Sequence, residues 1–273
     1  MLKKLKRKLG YIKRGLLGIF QNNFIKSPDA PTELYSFLIG KSVKEQPIKC
    51  FKIGNGKRKL LYAFGIHGNE VGTVKLAHYF LNWAHETRAQ LQDFTLFVIP
   101  CINPDGYSLA YSDPGYFEGG KTGRLNANDV DLNRNFDTPS FKQKSKWSFG
   151  ENYSEKSDVY CGSHAGSEPE IQALTKFIKI EKIPTLFMFH NAGKDVMPNS
   201  IQPAQKLAKI YSKKTGFRLV KEGHWKVLRQ TGTAAEWCDI NNIAYIEIEG
   251  STRWGSDWKR QKEAIKASMF ESL

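Results

Sequence analysis

The sequence predicts an α/β protein, a mainly parallel sheet with helices packed against it. Three observations carry this. Short apolar, β-rich runs recur at 59–65, 94–100, 185–190 and 243–249. Longer segments with helical spacing stand between them. Strands alternating with helices build parallel sheets through crossover units. The 273 residues, 40% hydrophobic and 25% charged, have ordinary globular composition. A chain of this length buries about three quarters of its unfolded surface, so it needs no disulfide or metal to hold it together.

Residues 1–26 stand apart from the rest. They carry Lys3, Lys4, Lys6, Arg7, Lys8, Lys13, Arg14 and Lys26 and no acidic residue, so these eight account for more than half of the net charge of +14. Leu2, Leu5, Leu9, Ile12, Leu16 and Ile19 recur at steps of three and four, which puts them on one helical face. A helix lying on an anionic membrane surface through residues 1–20 is the expected partner contact. Gly10, Gly15 and Gly18 weaken such a helix. A helix docked on its own domain, or a loose arm, is the plainer alternative. Lys13-Arg14 interrupts the apolar character, and Gly15–Phe20 is short for the core of a secretory signal. No run approaches the ~20 apolar residues of a membrane span. Cys50, Cys101, Cys161 and Cys238 are scattered, with no CxxC pair, which reads as a disulfide-free protein of a reducing, cytoplasmic setting with possible attachment to the membrane surface. The rest of the chain is only mildly basic and carries no nucleic-acid-binding motif, so nucleic acid is not an expected partner.

Residues 27–273 read as one catalytic domain without repeats or a low-complexity linker. Lys59–Gly65 is a buried strand by its apolar content, and Val71–Ala84 a helix. Phe94–Pro100 is a second strand. Residues 103–165 are rich in Gly, Asn, Asp and Ser and read as long loops with short elements. Glu168–Ile180 follows as a helix, Thr185–His190 as a strand, Ile201–Thr215 as a helix, Ile243–Glu249 as a strand and Trp258–Phe270 as a final helix. Ligands of such sheets lie at the carboxyl ends of the strands, where the informative residues cluster.

His67-Gly68-Asn69-Glu70 follows the first of these strands directly. A His and a Glu three apart at the start of a helix can face one centre, and two His with one Glu is a catalytic zinc set. That spacing is common by chance, so the pair needs a third ligand. His190 ends the apolar strand Leu186–Phe189 and supplies one, although a core histidine at a strand end is the bland alternative. His78 and His85 fall inside a helix, His164 in a Gly/Ser loop and His224 in a short loop. A zinc site for hydrolysis also needs a base. Glu249 and Glu247 end another strand with the same side-chain direction, and pattern alone does not choose between them.

Taken in order, His67–Glu70, Asn103-Pro104-Asp105-Gly106 and Arg124–Phe136 (RLNANDVDLNRNF) resemble the M14 zinc carboxypeptidase family. Within it, the short bacterial murein peptide amidase A branch is most similar. That branch has a segment like Gly166–Glu170 and one like Trp237-Cys238. The likeness covers about residues 38–250. It implies a three-layer α/β/α sandwich with a mixed, mainly parallel twisted sheet. It further implies one zinc ion on His67, Glu70 and His190. Arg124 would polarise the scissile carbonyl, Asn133 and Arg134 would clasp a terminal carboxylate, and Asp131 would sit behind His67. Glu249 becomes the general base, although Gly250-Ser251 departs from the Leu-Pro usual after it.

The implied activity is a metallocarboxypeptidase or amidase acting next to a C-terminal carboxylate on a peptide or muropeptide. The aspartoacylase and succinylglutamate desuccinylase type of deacylase shares His-Gly-Asn-Glu and Asp-Leu-Asn-Arg and is the competing reading. Asn103–Gly106 and the long His67-to-His190 separation favour the peptidase. A metal-binding module without activity, recruited to membranes by the basic segment, is a third reading, and the complete acid–base set speaks against it. Larger relatives carry a substrate-contacting Tyr shortly before the base strand. No Tyr lies between Tyr211 and Tyr245 here, which leaves His224 or Trp225 to cap the site.

Overall fold

The computed structural model describes residues 28–112, 122–149, 155–221, 228, 230–252 and 255–270. The basic segment 1–26 lies outside these residues. Ten strands are present among them: β1 (Ser36–Lys41), β2 (Pro47–Ile53), β3 (Arg58–Ala63), β4 (Phe94–Ile99), β5 (Lys144–Phe149), β6 (Glu155–Tyr160), β7 (Thr185–Asn191), β8 (Asp195–Pro198), β9 (Arg218–Leu219) and β10 (Ala244–Gly250). Six α-helices accompany them: α1 (Val71–Glu86), α2 (Pro104–Ser112), α3 (Pro169–Glu181), α4 (Gln202–Thr215), α5 (Ala234–Ile240) and α6 (Trp258–Phe270).

Eight strands form one sheet in the order β1-β2-β4-β3-β7-β10-β8-β9. Its centre, β4-β3-β7-β10, is parallel throughout, and the β1-β2, β2-β4 and β8-β10 pairings are antiparallel. Every residue of β4 and of β7 is buried, which is why both read in sequence as unbroken apolar runs. Side chains alternate across the sheet and feed two cores. Tyr62, Phe187, Phe189, Ile246 and Ile248 pack with α1, α4 and α6 on one face. Leu61, Leu186, Met188 and Tyr245 pack with α3 and α5 on the other. The result is the expected three-layer α/β/α arrangement with a mixed sheet.

The helix boundaries follow local chemistry. Pro169 opens α3 and Lys182 closes it in the left-handed conformation. Pro203 lies in the first turn of α4, and Gly216, at φ 72°, ends it. The stretch 103–165, expected as long loops with short elements, contains α2 and the β5-β6 hairpin. The hairpin is polar on its open side, so no clear apolar alternation marks it. β1, β2, β8 and α5 are likewise additions to the sequence reading. All four cysteines are free, as expected.

Candidate metal centre

Three adjacent parallel strands deliver the site. β3 leads through Phe64–Ile66 into His67, β7 carries His190 and β10 carries Glu249. The β7-β10 register sets Glu249 directly beside His190. Two glycines let the His67 turn form. Gly65 has φ 61°, and a Cβ there would crowd Val74 and Cys101 at 3.0 and 3.2 Å. A Cβ on Gly68 would lie 2.1 Å from backbone atoms of Gly106 and Tyr107, so the turn rests directly on the start of α2. Glu70 immediately precedes α1 and points back at the histidines.

Nδ1 of His67 lies 3.1 Å from Oε1 of Glu70 and 3.2 Å from Nδ1 of His190, which is 3.1 Å from Oε2 of Glu70. All three residues are buried. Zinc bonds of ~2.0–2.1 Å in a tetrahedron separate neighbouring ligand atoms by roughly 3.3 Å, so the spacing fits one ion. The lone pairs suit one too. Nε2 of His67 is 3.1 Å from Oδ1 of Asp131 and donates its proton there. Nδ1 therefore turns a lone pair toward the Glu70 carboxylate, an arrangement that a cation makes favourable. These residues form the group able to hold a metal among the described residues.

The electrostatics agree. Burial alone would raise the Glu70 carboxyl, but His67 and His190 outweigh it and hold the group far below the usual range. Burial alone would lower His190, but Glu70, with Glu247 and Glu249 behind it, raises it to about 9. Nε2 of His190 is buried without a partner among the described residues, unlike Nε2 of His67.

Asp131 is fully buried and organises the next layer. Its Oδ1 also accepts from the Asn133 backbone N–H at 3.1 Å, capping the tight turn Leu132–Arg134. Its Oδ2 accepts from Nε and Nη2 of Arg124 at 3.1 and 2.8 Å. Desolvation would raise Asp131, yet Arg124 and His67 keep it well below the ordinary carboxylate range. Arg124 is held further by Trp147, whose ring centroid lies 4.5 Å from the guanidinium carbon. The nitrogen left over, Nη1, is 3.2 Å from Nδ1 of His67 and faces the ligand set.

Arg134 is buried, with Nη1 on the Asn133 carbonyl at 2.6 Å and Nε on the Lys146 carbonyl at 3.3 Å. Its Nη2 makes no hydrogen bond among the described residues. Asn133 accepts the Ala234 N–H at 3.0 Å through Oδ1, which leaves its amide NH2 unused among them. Two adjacent residues thus each keep a donor in reserve. Glu249 is half-buried and makes no hydrogen bond among the described residues. Burial first, then repulsion from Glu70, pushes its carboxyl well above the usual range, with His190 partly offsetting them.

The motifs that carried the resemblance divide into working groups and their supports. Asn103 caps α2 through the Gly106 N–H at 2.8 Å and reaches the Arg124 carbonyl. Asn126 and Asn128 donate to Oε2 of Glu168 at 2.6 and 2.9 Å, and Asn126 also reaches Glu170, so the Gly166–Glu170 segment props up the Arg124 loop. Asn135 accepts the Glu168 N–H at 3.0 Å. Trp237 and Cys238 are core residues of α5. Trp147 and Gly232 escaped the sequence reading. The first sits in an unrecognised hairpin. The second, at φ 65°, lets a loop lie against the Arg134 carbonyl, 2.2 Å from where a Cβ would be. His78 and His85 are half-buried on α1 and His164 is exposed, all away from the ligand set. His224 and Trp225 lie outside the described residues.

Comparison with known proteins agrees with this geometry. The zinc carboxypeptidase family model (Peptidase M14) matches residues 27–257, and the chain belongs to that family. Rat (Rattus norvegicus) carboxypeptidase B2 is 24% identical over 182 residues, which cover 61% of this chain and 42% of the relative. Human (Homo sapiens) carboxypeptidase A6 is 26% identical over 241 residues, covering 81% of this chain and 52% of the relative. The chain thus spans about half the length of these curated relatives or less. The crystal structure of murein-tripeptide amidase MpaA from Escherichia coli O157 has the same fold, with a TM-score of 0.65 at 23% identity, covering 87% of this chain and 92% of that one.

Proposed function

We propose that this protein is a zinc-dependent carboxypeptidase or amidase that hydrolyses an amide bond next to a free carboxylate. The observation that carries the reading is the convergence of His67, Glu70 and His190 with Glu249, which makes no hydrogen bond among the described residues, beside them. Family membership supports the metal's identity as zinc.

The residues divide the work as follows. Arg134 and Asn133 hold the terminal carboxylate through their unused donors, since a guanidinium edge suits a carboxylate. Arg124, fixed by Asp131 and Trp147, presents Nη1 to the negative charge that develops on the scissile carbonyl oxygen. Zinc bound by the three ligands would supply Lewis acidity, polarising the carbonyl and making water acidic near neutral pH. Glu249 takes a proton from the attacking water and delivers it to the leaving nitrogen. Water's oxygen joins the carbonyl carbon, the C–N bond breaks, and a carboxylic acid and an amine result. Burial of Glu249 strengthens it as a base.

The murein-tripeptide amidase neighbour supports a muropeptide as one substrate to test, beside ordinary peptides. The test is mass-spectrometric product analysis on a mixed peptide and muropeptide library, with and without a chelator. Release of C-terminal residues that stops on zinc removal is expected. Activity that survives complete zinc removal overturns the reading, and release of acyl groups instead would favour a deacylase.

The basic, amphipathic segment 1–26 supports a second proposal, contact with anionic membranes from the cytoplasmic side. Deleting it should weaken binding to anionic vesicles and spare turnover of small substrates. Unchanged vesicle binding refutes the contact.

A further inference from the structure

We propose that Glu247 selects leaving residues with a cationic side chain, an ammonium or guanidinium, resting on the hydrolytic reading above. Glu247 lies two residues before Glu249 on β10, on the same face of the sheet, about 7 Å back along the strand. That face carries Tyr245 and, across the register, Met188 and His190. The Tyr245 hydroxyl donates to Oε2 of Glu247 at 2.6 Å and pins the carboxylate in place. Tyr245 is buried, so its hydroxyl is a fixed support. Glu247 itself is half-buried. No Lys, Arg or His among the described residues comes within ion-pair distance of it.

Its charge is felt at the substrate end of the site. Glu247 acts electrostatically on Arg134, the proposed carboxylate clasp, and on His190. A residue whose α-carboxylate rests on Arg134 and whose amide nitrogen faces Glu249 therefore has Glu247 close by. The proposed reaction gives Glu247 no step, since Glu249 is the carboxylate beside His190.

Local charge states what Glu247 is for. Asp131 is paired with Arg124, Glu70 lies among the metal ligands, and Glu249 is the base. Glu247 pairs with no Lys, Arg or His among the described residues, and a half-buried carboxylate without a counter-charge is costly. A cationic leaving side chain would supply that counter-charge, and a neutral one would not.

The test compares peptides matched in length that end in lysine or in norleucine, which differ by the terminal ammonium. The lysine peptide should show the higher kcat/KM. Glu247→Gln keeps an acceptor for Tyr245 and removes the charge, so it should lower the lysine-to-norleucine ratio about tenfold or more. Equal rates for the two peptides in the native protein, or a ratio untouched by the substitution, overturn the proposal while leaving the hydrolytic reading standing. Calorimetric binding of free L-lysine against L-norleucine to the zinc-loaded protein needs no turnover. If no peptide is cleaved at all, the hydrolytic reading fails. A lysine preference in binding that is lost in Glu247→Gln would still support the charge selection, and equal binding would overturn it.

Discussion

The carboxylate of Asp131, with no exposed surface, accepts from Nε2 of His67 at 3.1 Å. Its other oxygen holds Arg124. One side chain thus sets the tautomer of a metal ligand, aims the proposed oxyanion cation and caps the turn bearing Asn133 and Arg134.

Asp131→Asn separates these roles from simple packing. The amide keeps the shape but has one acceptor oxygen, so its NH2 must face a donor on His67 or on Arg124. Zinc affinity should fall about 10–100-fold, the usual effect of losing such a support. Leaving buried Arg124 without its counter-charge should cost about 3–5 kcal/mol of stability. Competition with a chromogenic chelator reads the first and denaturant unfolding the second. Native zinc affinity in the variant would show that Asp131 does not govern the site.

Glu249→Gln addresses the base. Glu249 is not among the three ligands, so zinc content should stay at one ion per chain. Without a group to move the proton, kcat/KM should drop about 10²–10⁴-fold. Elemental analysis alongside steady-state kinetics gives both numbers. Full turnover in this variant would rule out the assignment of Glu249.

How far the sequence reached follows the physics of each signal. The strands at 94–99 and 185–191 were legible because both faces of each are buried, which produces an unbroken apolar run. β1 and β2 were not, because β1 is an edge strand with only exposed and half-buried positions and β2, next to it, mixes exposed with buried ones. His67, Glu70, His190, Arg124, Asp131, Asn133, Arg134 and Glu249 were legible through ordered motifs. Spacing alone could not bring His190 to His67, since 123 residues and three intervening α-helices separate them. Trp147 was invisible because its role exists only once the hairpin folds over Arg124. Gly232 was invisible because a glycine in a loop announces nothing until the Arg134 carbonyl is placed against it.

The cysteines predict a negative result with a clear sign. Burial is the first cause in each case, pushing Cys101 and Cys161 up to about 12 and Cys50 and Cys238 upward as well. A raised thiol stays protonated below its pKa, so at pH 8 a group at 12 is only about one part in ten thousand thiolate, the reactive form. The folded protein should resist iodoacetamide at pH 8 and keep its activity, whereas a chelator abolishes it. Four thiols should become reactive in guanidinium. Rapid alkylation of the native protein with parallel loss of activity would contradict both the burial and a mechanism free of thiols.

Arg134 provides the sharpest test of where the substrate ends. Its Nη1 and Nε are spent on backbone carbonyls, which fix the guanidinium and leave Nη2 for a ligand. Arg134→Met removes that donor and its charge while keeping most of the apolar stem. For a peptide with a free C-terminus, kcat/KM should fall about 10–100-fold, the worth of a charged hydrogen bond. An amidated peptide offers no carboxylate to lose, so its already low rate should change far less. Gly232→Ala should act in the same direction through the backbone, because its Cβ would meet the Arg134 carbonyl at 2.2 Å in a conformation with φ 65°. That variant should also unfold at a lower temperature, as a side chain at positive φ is strained. If Arg134→Met lowered both peptides equally, Arg134 would be a support of the fold, and the terminal carboxylate would have to be held by another group.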